Sequence, residues 1–509
     1  MSDIVQLVTT KPFCPDPLAL YARLSNDGNT ADTALFINAL HENKTFEKST
    51  ILKKAALRIE YRHPQIKIIA LTDLGKMVLE LHFGAVQDEV TLYLDKTSED
   101  DTLTDEERIC RKSAFDVLRR CLDLFPIHQE IPSAMQQLFT IFSFDLIAAF
   151  EKLPSLSDDP LKFPDWVAFF PEEIIVIDHL LQQTHYSVLG NDKQQTENTL
   201  EKLTQYQPRQ NKSIPNTVSR SHPVDCSHSM EEYKQLVDRC KKHIQQGDIF
   251  QTVISRRFSL PCHQPLLAFE NLIQTNFSPY LFYFKGHEHT LFGASPETCV
   301  KVEKSEHLNE RKVTLCPIAG TRPRGFDHQG KIDRDKDSRL ETGMRLSQKE
   351  LAEHMMLVDL ARNDIARISL AGTCQVTELT TVSRYAKVMH LCSKVQGKLK
   401  PSLDALHAYS ACMNMGTLSG APKLRATEIL RECEQEKRGP YGGAIGLVGV
   451  DGEMDTAIII RSAVVYQNVA HVRAGAGIVA DSDPTLEALE TQHKAQAVLN
   501  AIIAAGETS

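Results

Sequence analysis

The amino-acid sequence predicts an α+β fold built on antiparallel sheets. Its strand-like runs come in clusters with short turns between them, as in residues 290–321, where TLFGAS, TCVKV and VTLCPIAGT follow one another. Short connections suit antiparallel pairing, whereas parallel strands need long crossovers. Helical patterns lie between these clusters, and the composition, 42% hydrophobic and 24% charged, is typical of a globular protein. These three observations favour α+β over a doubly wound parallel sheet.

Two polar stretches interrupt the pattern of strands and helices. Residues 95–108 are acidic and predict a surface loop, and residues 204–228, with three prolines and few large apolar residues, predict a linker. We therefore divide the chain into an N-terminal portion, 1–210, and a C-terminal portion, 229–509. The elements predicted in the first portion are strands at IKIIAL (66–71), VTLYL (90–94) and EEIIVI (172–177) and a helix at Ser113–Leu124.

Length and charge exclude several classes of protein. The 509 residues suggest about two to four domains and can bury a large core without disulfides. Acidic residues outnumber basic ones, 66 to 57, and the net charge of −9 argues against general nucleic-acid binding. We find no apolar run of about 18 residues and no signal-peptide pattern. The 12 scattered cysteines predict reduced thiols in the cytoplasm.

The first candidate site is a pair of glutamates, Glu350 and Glu353, in a helical pattern. A spacing of three places both carboxylates on one helical face. Such pairs are common on solvated helices, which is the alternative interpretation. The apolar run that follows predicts a buried helix, however, and unpaired buried carboxylates are costly.

A second pair, Glu487 and Glu490, lies near the C-terminus in another helical pattern. Ser482 or Asp483 can cap this helix, and Pro484 suits its first turn. The predicted apolar stripe beside the glutamates consists of Leu486, Leu489, Val498 and Ile502. If the two helices face each other, they present four hard oxygen donors, which suit Mg²⁺, and no histidine or cysteine cluster competes for zinc.

A second kind of candidate site consists of four glycine-rich turns, at residues 317–325, 416–422, 441–446 and 473–482. None matches a nucleotide-binding motif, so each is either a tight β-turn or part of an anion-binding cleft. Arg461 interrupts the apolar run TAIIIRSAVV, which predicts an arginine in a central strand. Its partner is either an aspartate or a substrate carboxylate. Lys494 is a second anion contact or a surface lysine, and His390 is either a core histidine or a functional one.

Longer motifs make the sequence similar to a known family. The segments LFGASPE (291–297), PIAGTRPRG (317–325), EHMMLVDLARND (353–364), RYAKVMH (384–390), HAYSACMNMGTLSGAPK (407–423), RAGAGIVADS (473–482) and EALETQHKA (487–495) resemble the chorismate-utilising enzymes. Within them the chain most resembles the enterobacterial type of anthranilate synthase component I, over about residues 15–505. The resemblance implies antiparallel sheets forming a sandwich flanked by helices, a regulatory N-terminal portion and a catalytic C-terminal portion.

Two positions separate the activities within this family. The isochorismate-forming members resemble one another in having a lysine that activates water where this chain has Gln251, and aminodeoxychorismate synthases have a nucleophilic lysine in the position of Ala319. Both positions favour ammonia as the nucleophile and thus anthranilate synthase. Aminodeoxychorismate synthase, isochorismate synthase and an anthranilate synthase of secondary metabolism remain alternatives, as does a non-catalytic regulator with the same fold.

The resemblance also implies roles for individual residues. Glu353 and Glu490 are expected to bind Mg²⁺ directly, and Glu350 and Glu487 through its waters. Glu297 is the expected general acid for departure of the C4 hydroxyl, and His390 is expected to act in the loss of pyruvate. The expected substrate contacts are Thr321, Thr417, Tyr441, Arg461, Gly475, Ala476, Gly477 and Lys494.

The resemblance has further implications for the source of ammonia and for feedback inhibition by tryptophan. The chain has no GxCxG nucleophile segment, so the resemblance implies a separate glutamine amidotransferase subunit in a heterotetramer. It also implies a tryptophan site at Asn38, Lys48, Pro279, Tyr280 and Leu281. Departures from the family pattern occur at Ile37 and Asn38, at Leu447, and at Phe139 and Thr140. Because Ile37 replaces an acidic residue, we expect tryptophan inhibition weakened roughly 10–100-fold.

Overall fold

We describe a computed structural model of the chain, which covers residues 4–40, 45–84, 87–94, 104–126, 131–156, 158–209, 224–305, 310–385 and 387–506. The strands are β1 (Val5–Pro12), β2 (Thr33–Leu40), β3 (Thr45–Arg62), β4 (Gln65–Ala70), β5 (Glu89–Tyr93), β6 (Gln137–Phe142), β7 (Trp166–Asp178), β8 (Gln183–Gly190), β9 (Asp225–Cys226), β10 (Gln251–Pro261), β11 (Tyr280–Lys285), β12 (His289–Ser295), β13 (Thr298–Lys304), β14 (Arg311–Leu315), β15 (Ile318–Pro323), β16 (Gln375–Arg384), β17 (Val388–Lys398), β18 (Gly420–Ala421), β19 (Ala444–Gly449), β20 (Met454–Ile458), β21 (Ser462–Tyr466) and β22 (Val469–Ile478).

The helices lie mostly between groups of strands. They are α1 (Pro17–Leu24), α2 (Asp73–Phe83), α3 (Asp105–Ile109), α4 (Phe115–Leu122), α5 (Lys193–Thr204), α6 (Met230–Gln245), α7 (Pro265–Thr275), α8 (Arg334–Arg345), α9 (Gln348–Ile368), α10 (Ala405–Cys412), α11 (Lys423–Glu434) and α12 (Pro484–Gly506), with short 3₁₀ turns at Ser133–Met135 and Phe144–Ala149. Across the described residues, none of these helices combines the length and the apolar character that crossing a membrane requires.

The predicted antiparallel α+β architecture is confirmed. Every pairing between named strands is antiparallel, and the 22 described strands are joined by hydrogen bonds into one network. The predicted strands at 66–71, 90–94 and 172–177 correspond to β4, β5 and β7, and the predicted helix corresponds to α4. Apolar side chains on alternating strand positions then form the buried core between the strands and helices.

The proposed division of the chain crosses this network. Most of the expected linker, residues 210–223, lies outside the described residues, and so does most of the expected loop at 95–108. Strands from the two portions pair directly, β2 with β11 and β6 with β19. The boundary between portions remains a prediction, and the N-terminal strands share a core with the C-terminal ones.

Three local expectations are wrong. Helix α9 is amphipathic rather than buried all round, because His354 is fully buried while Met355 is 45% exposed. Leu486 is 65% exposed and does not continue the apolar stripe of α12 that includes Val498 and Ile502. Arg461 lies in the bend between β20 and β21 with φ of 51°, not inside a strand. In each case an apolar run in the sequence is longer than the face that the neighbouring elements cover.

Candidate functional site

Two capped helices present the glutamate pairs. Ser347 caps α9, and its Oγ accepts a hydrogen bond from the backbone N–H of Glu350 at 3.4 Å. Asp483 caps α12, because its Oδ1 accepts bonds from the backbone N–H groups of Thr485 at 2.8 Å and Leu486 at 2.9 Å. Each cap fixes the first turn of its helix and therefore the direction of the carboxylates one turn later.

The four carboxylates lie close enough to repel one another. Burial raises the pKa of Glu353, and the charges of Glu487, Glu350 and Glu490 raise it further. Burial also raises the pKa of Glu487, with a second contribution from Glu490. The carboxylates of α9 and α12 therefore lie near enough for their charges to interact, although more than 100 residues separate the two helices in the chain.

Basic side chains accompany three of these carboxylates. Lys494 Nζ lies 2.6 Å from Glu490 Oε1, Lys349 Nζ lies 3.9 Å from Glu353 Oε1, and Arg322 forms an ion pair with Glu350. Burial alone would raise the pKa of Glu490, but the ion pair with Lys494 and the charge of Arg461 bring it below its usual value.

This donor set fits a divalent cation of the hard type. In the part of the chain that the structure describes, no three acidic, histidine or cysteine side chains converge into a ready coordination sphere. The cluster nevertheless supplies four carboxylates, and the Oε2 atom of Glu350 is buried without a hydrogen-bond partner. Four neighbouring carboxylates, one with an oxygen atom that lacks a partner among the described residues, are donors of the type that Mg²⁺ or Mn²⁺ binds.

Glu297 lies between β12 and β13 and is 5% exposed. Burial raises the pKa of its carboxyl group to about 8, although the Thr417 hydroxyl, the backbone N–H of Ile318 and the charge of Lys494 act in the opposite direction. Glu297 Oε1 and Thr417 Oγ1 are neighbours but do not meet hydrogen-bonding geometry, and each is buried without another partner in the described residues. A neutral carboxylic acid therefore lies beside unused polar atoms, ready to donate a proton.

Arg461 and Lys494 form a cationic wall beside the glutamates. Arg461 Nη1 donates to the backbone carbonyl of Lys494 at 2.6 Å, and Lys494 Nζ donates to the carbonyl of Gly475 at 3.0 Å. Arg461 forms no ion pair with a carboxylate of the described residues, so the aspartate partner considered from the sequence is not found there. Burial lowers its pKa, partly offset by Tyr441 and Glu490. A guanidinium in this state can bind an external carboxylate.

The glycines of β22 allow polar side chains to approach closely. A Cβ atom on Gly477 would lie 2.6 Å from Gln251 Nε2, and one on Gly475 would lie 3.2 Å from the hydroxyl of Tyr441. Gln251 Oε1 is buried without a hydrogen-bond partner among the described residues. Gln251 and Tyr441 therefore both approach Gly475–Gly477, which belongs to strand β22 paired with β10 and is not the turn expected from the sequence.

His390 is positioned by strand pairing. Its Cα atom lies opposite Thr321 in the β15–β17 ladder. Its Nδ1 lies 3.0 Å from Thr321 Oγ1 and 3.2 Å from the carbonyl oxygen of Gly320, and its ring meets that of Tyr385 edge-on at 5.0 Å between centroids. The histidine is 8% exposed and is held in one orientation by these contacts.

The expected effector residues divide between two faces of the sheet. Asn38 Nδ2 donates to Asp455 Oδ2 at 2.9 Å, and the hydroxyl of Tyr280 donates to Asp455 Oδ1 at 2.9 Å. Ile37 and Leu281 belong to a different apolar cluster from Tyr280, because side chains alternate along a strand. Lys48 pairs with Asn38 in the β2–β3 ladder.

Two residues of these sites were not singled out from the sequence. Arg322 lies inside the quoted motif PIAGTRPRG, and its charge in that motif was the available signal. Asp455 had no signal, because its partners Asn38 and Tyr280 are 417 and 175 residues away in the chain.

Comparisons with known proteins identify the family that this chain is similar to. The family model described as chorismate binding enzyme matches residues 83–500. The anthranilate synthase component 1 of Vibrio cholerae is 43% identical, over 97% of this chain and 95% of that protein, and its Escherichia coli counterpart is 42% identical, over 96% and 95%. The crystal structure of anthranilate synthase component I from Streptococcus pneumoniae has a TM-score of 0.71 and 29% identity, covering 89% of this chain and 92% of that one. The menaquinone-specific isochorismate synthase of Escherichia coli, with 16% identity and a TM-score of 0.66, shares the fold.

Proposed function

This chain belongs to the family of chorismate binding enzymes, and on that basis we propose that it is the chorismate-converting component of an anthranilate synthase. The reaction joins chorismate and ammonia, releases water to give aminodeoxyisochorismate, and then eliminates pyruvate to give anthranilate, the first step of tryptophan biosynthesis. The observation that carries the proposal is Glu297, a buried acid with a pKa of about 8 near the charge of Lys494, together with Arg461, which forms no ion pair with a carboxylate of the described residues.

The substrate carboxylates bind along the wall of Arg461, Lys494 and Tyr441. Arg461 can offer a bidentate pair of N–H donors, and the glycines at Gly475 and Gly477 of β22 carry no side chain that would keep a flat ring away. Thr417 and Thr321 supply neutral hydroxyl donors at the other side of the cleft. Their side chains neighbour Glu297 and His390, so substrate binding places the ring beside both.

Glu297 donates the proton for the first step. Hydroxide is a poor leaving group, so the departing C4 hydroxyl must be protonated as the C4–O bond breaks. Because its pKa is about 8, Glu297 is still protonated at neutral pH, when an ordinary carboxyl group is not. Ammonia forms the new bond at C2 as water leaves from C4.

Two neutral side chains exclude the other nucleophiles. Gln251 carries an amide that cannot accept a proton from water as a lysine amine could, and Ala319 has no nucleophilic atom. Ammonia is therefore the nucleophile that the site leaves available. This supports anthranilate formation over the isochorismate and aminodeoxychorismate alternatives.

His390 serves the second step. Loss of pyruvate requires removal of the proton at C2 as the ring becomes aromatic and the C3–O bond breaks. The Nδ1 contacts with Thr321 and Gly320 fix the ring, and we assign this proton transfer to the imidazole of His390. The edge-on contact with Tyr385 further restricts the ring.

The four glutamates would hold a magnesium ion. Glu353 and Glu490 would contact it directly, and Glu350 and Glu487 through water. When bound, the ion would polarise the ring carboxylate of chorismate and so favour departure of the leaving group.

A separate amidotransferase subunit would supply ammonia from glutamine, since this chain has no GxCxG segment. The 12 cysteines are free thiols, in line with a reducing compartment such as the cytoplasm.

Feedback by tryptophan is proposed to be weak. Ile37 is fully buried in an apolar cluster and offers no carboxylate to an ammonium group. Phe139 and Leu447 are buried in the cluster that includes Tyr280, which leaves less room for an indole ring there.

A fluorescence assay tests the proposed function. The full chain with chorismate, Mg²⁺ and ammonium, at a pH near the pKa of about 8 of Glu297, should form fluorescent anthranilate without a partner subunit, while glutamine in place of ammonium should give none. Chromatography of the products separates the alternatives, because isochorismate or aminodeoxychorismate as the sole product would contradict the proposal. A chain that binds chorismate without converting it would instead indicate the non-catalytic regulator.

A further inference from the structure

Arg322 forms an ion pair with Glu350, one of the four glutamates that are expected to hold the divalent cation. Its guanidinium forms an ion pair with Glu350 Oε1, with 33% of the arginine side chain and 14% of the glutamate side chain exposed. The same Nη1 atom donates to the carbonyl of Thr321 at 3.0 Å. The arginine is therefore anchored to its own strand as well as to the glutamate.

Glu350 is held closely on its other side. A Cβ atom built on Gly320 would lie 2.5 Å from Glu350 Oε2, and Gly320 has φ of +67°, a conformation that glycine adopts readily. Glu350 Oε2 is buried without a hydrogen-bond partner in the described residues. Oε1 of Glu350 thus pairs with Arg322, and Oε2 has no hydrogen-bond partner in the described residues.

Arg322 differs from the other basic residues of the cluster. Lys349 is 53% exposed and 3.9 Å from Glu353, so its ion pair contributes little. Lys494 also bonds Gly475 and belongs to the proposed substrate wall. Arg322 alone among these three combines a partly buried ion pair with no proposed contact to substrate.

We propose that Arg322 is a tethered counterion that competes with the divalent cation and thereby limits its affinity for the glutamate cluster. This inference rests on the proposed function for the cation site. Every nearby negative charge stabilises a bound cation, and every fixed positive charge destabilises it. Arg322 neutralises one carboxylate and repels the incoming ion, while it relieves the repulsion among the glutamates when no ion is bound.

Removing this charge should change two properties in opposite directions. In Arg322→Met, metal affinity should rise roughly tenfold, the effect of one elementary charge near a divalent ion in a partly exposed site. The melting temperature without metal should fall, because Glu350 and Glu353 then repel without compensation. If Arg322 instead serves only to orient Glu350, the same variant would bind metal more weakly.

The test is a titration of the full chain with Mn²⁺, in which electron paramagnetic resonance measures the free Mn²⁺. Melting temperatures are measured separately, without Mn²⁺ and at saturating Mn²⁺. The matched control is Arg209→Met, which removes a similarly exposed arginine from an ion pair with Glu270 at 3.2 Å, outside the glutamate cluster. It should lower the melting temperature without changing metal affinity, and Arg322→Lys should bind Mn²⁺ as the wild type does.

Tighter binding in Arg322→Met alone supports the proposal. Equal or weaker binding in that variant overturns it, as does tighter binding in the control. A wild-type chain that makes anthranilate but binds no Mn²⁺ would also overturn it while leaving the proposed reaction intact. A chain with the predicted Mn²⁺ affinities but no anthranilate would contradict only the proposed reaction.

Discussion

Replacing Glu297 by glutamine tests the proton donor directly. Glutamine has nearly the same shape but carries no acidic proton, so the change removes the chemistry and keeps the packing. A positioned general acid contributes about 10²–10⁴-fold, and we expect kcat/KM for chorismate to fall by that factor. The KM should change little, because Glu297 is not part of the cationic wall.

The pH dependence of the wild-type enzyme follows from the same group. With a pKa of about 8, roughly nine-tenths of Glu297 is protonated at pH 7, and the active fraction falls tenfold per pH unit well above 8. The assay measures kcat/KM for chorismate from pH 6 to 10, with total ammonium adjusted so that free ammonia stays constant. The wild type should lose activity above about pH 8, and the residual activity of Glu297→Gln should not show this loss.

Stability should also fall as pH rises, over a lower pH range than activity. The folded protein keeps the Glu297 proton up to about pH 8, whereas the unfolded chain releases it near the ordinary value of 4.5. The free energy of unfolding therefore falls as pH rises between these values, by at most about 5 kcal/mol from this group. Glu297→Gln cannot ionise, so its denaturant midpoint should decline less over this window.

A partly exposed carboxylate on strand β13, which follows Glu297, provides the control. Glu303→Gln removes a partly exposed charge near Lys301 and should leave both pH profiles unchanged. If Glu297→Gln retained activity within about threefold of wild type, or if wild-type activity stayed level through pH 9, the assignment of Glu297 as the general acid would be refuted.

Four further predictions concern other parts of the molecule. In His390→Met, aminodeoxyisochorismate should accumulate while anthranilate falls, as chromatography would show, and unchanged anthranilate formation would remove His390 from the second step. Glu490→Gln should abolish the Mg²⁺ response in a metal titration of activity, and a variant with normal Mg²⁺ dependence would disprove that ligand. Tryptophan at micromolar concentration should leave the ammonia-dependent activity nearly intact because Ile37 carries no charge, so strong inhibition there would contradict the proposed loss of feedback. Lys423→Met should lower the free energy of unfolding by about 3–5 kcal/mol, because it leaves Asp364, 2.8 Å from Lys423 Nζ, as an unpaired buried charge; a denaturant midpoint equal to that of wild type would show that the pair is not stabilising.

Local sequence predicted the helices that carry the glutamates. The pair Glu487 and Glu490 follows Asp483 and Pro484, and both the cap and the first turn lie where these residues place them. The same holds for the antiparallel pairing of clustered strands with short turns. Each of these features depends on residues within one or two turns of each other, which is why the sequence alone contains it.

The positions of the site residues relative to one another depend on segments that are distant in the sequence. The charge of Glu487 raises the pKa of Glu353, although α9 packs mainly on β15 and β17 whereas α12 packs on β22 and α7. Arg461 lies in a bend because β20 ends at Ile458, a boundary that its apolar neighbours conceal. The exposure of Leu486 follows in the same way from which face of α12 is covered.

The sequence by itself determined which residue types the protein has for its chemistry: two diacid helices, an acid in GASPE, and neutral residues at Gln251 and Ala319. Only the tertiary structure decided how they act. Burial makes Glu297 an acid near neutral pH, strand pairing orients His390 against Thr321, and packing sets Arg322 against Glu350. Proton affinity and ion pairing depend on the groups and the solvent that surround a side chain, and those surroundings exist only once distant segments have packed together.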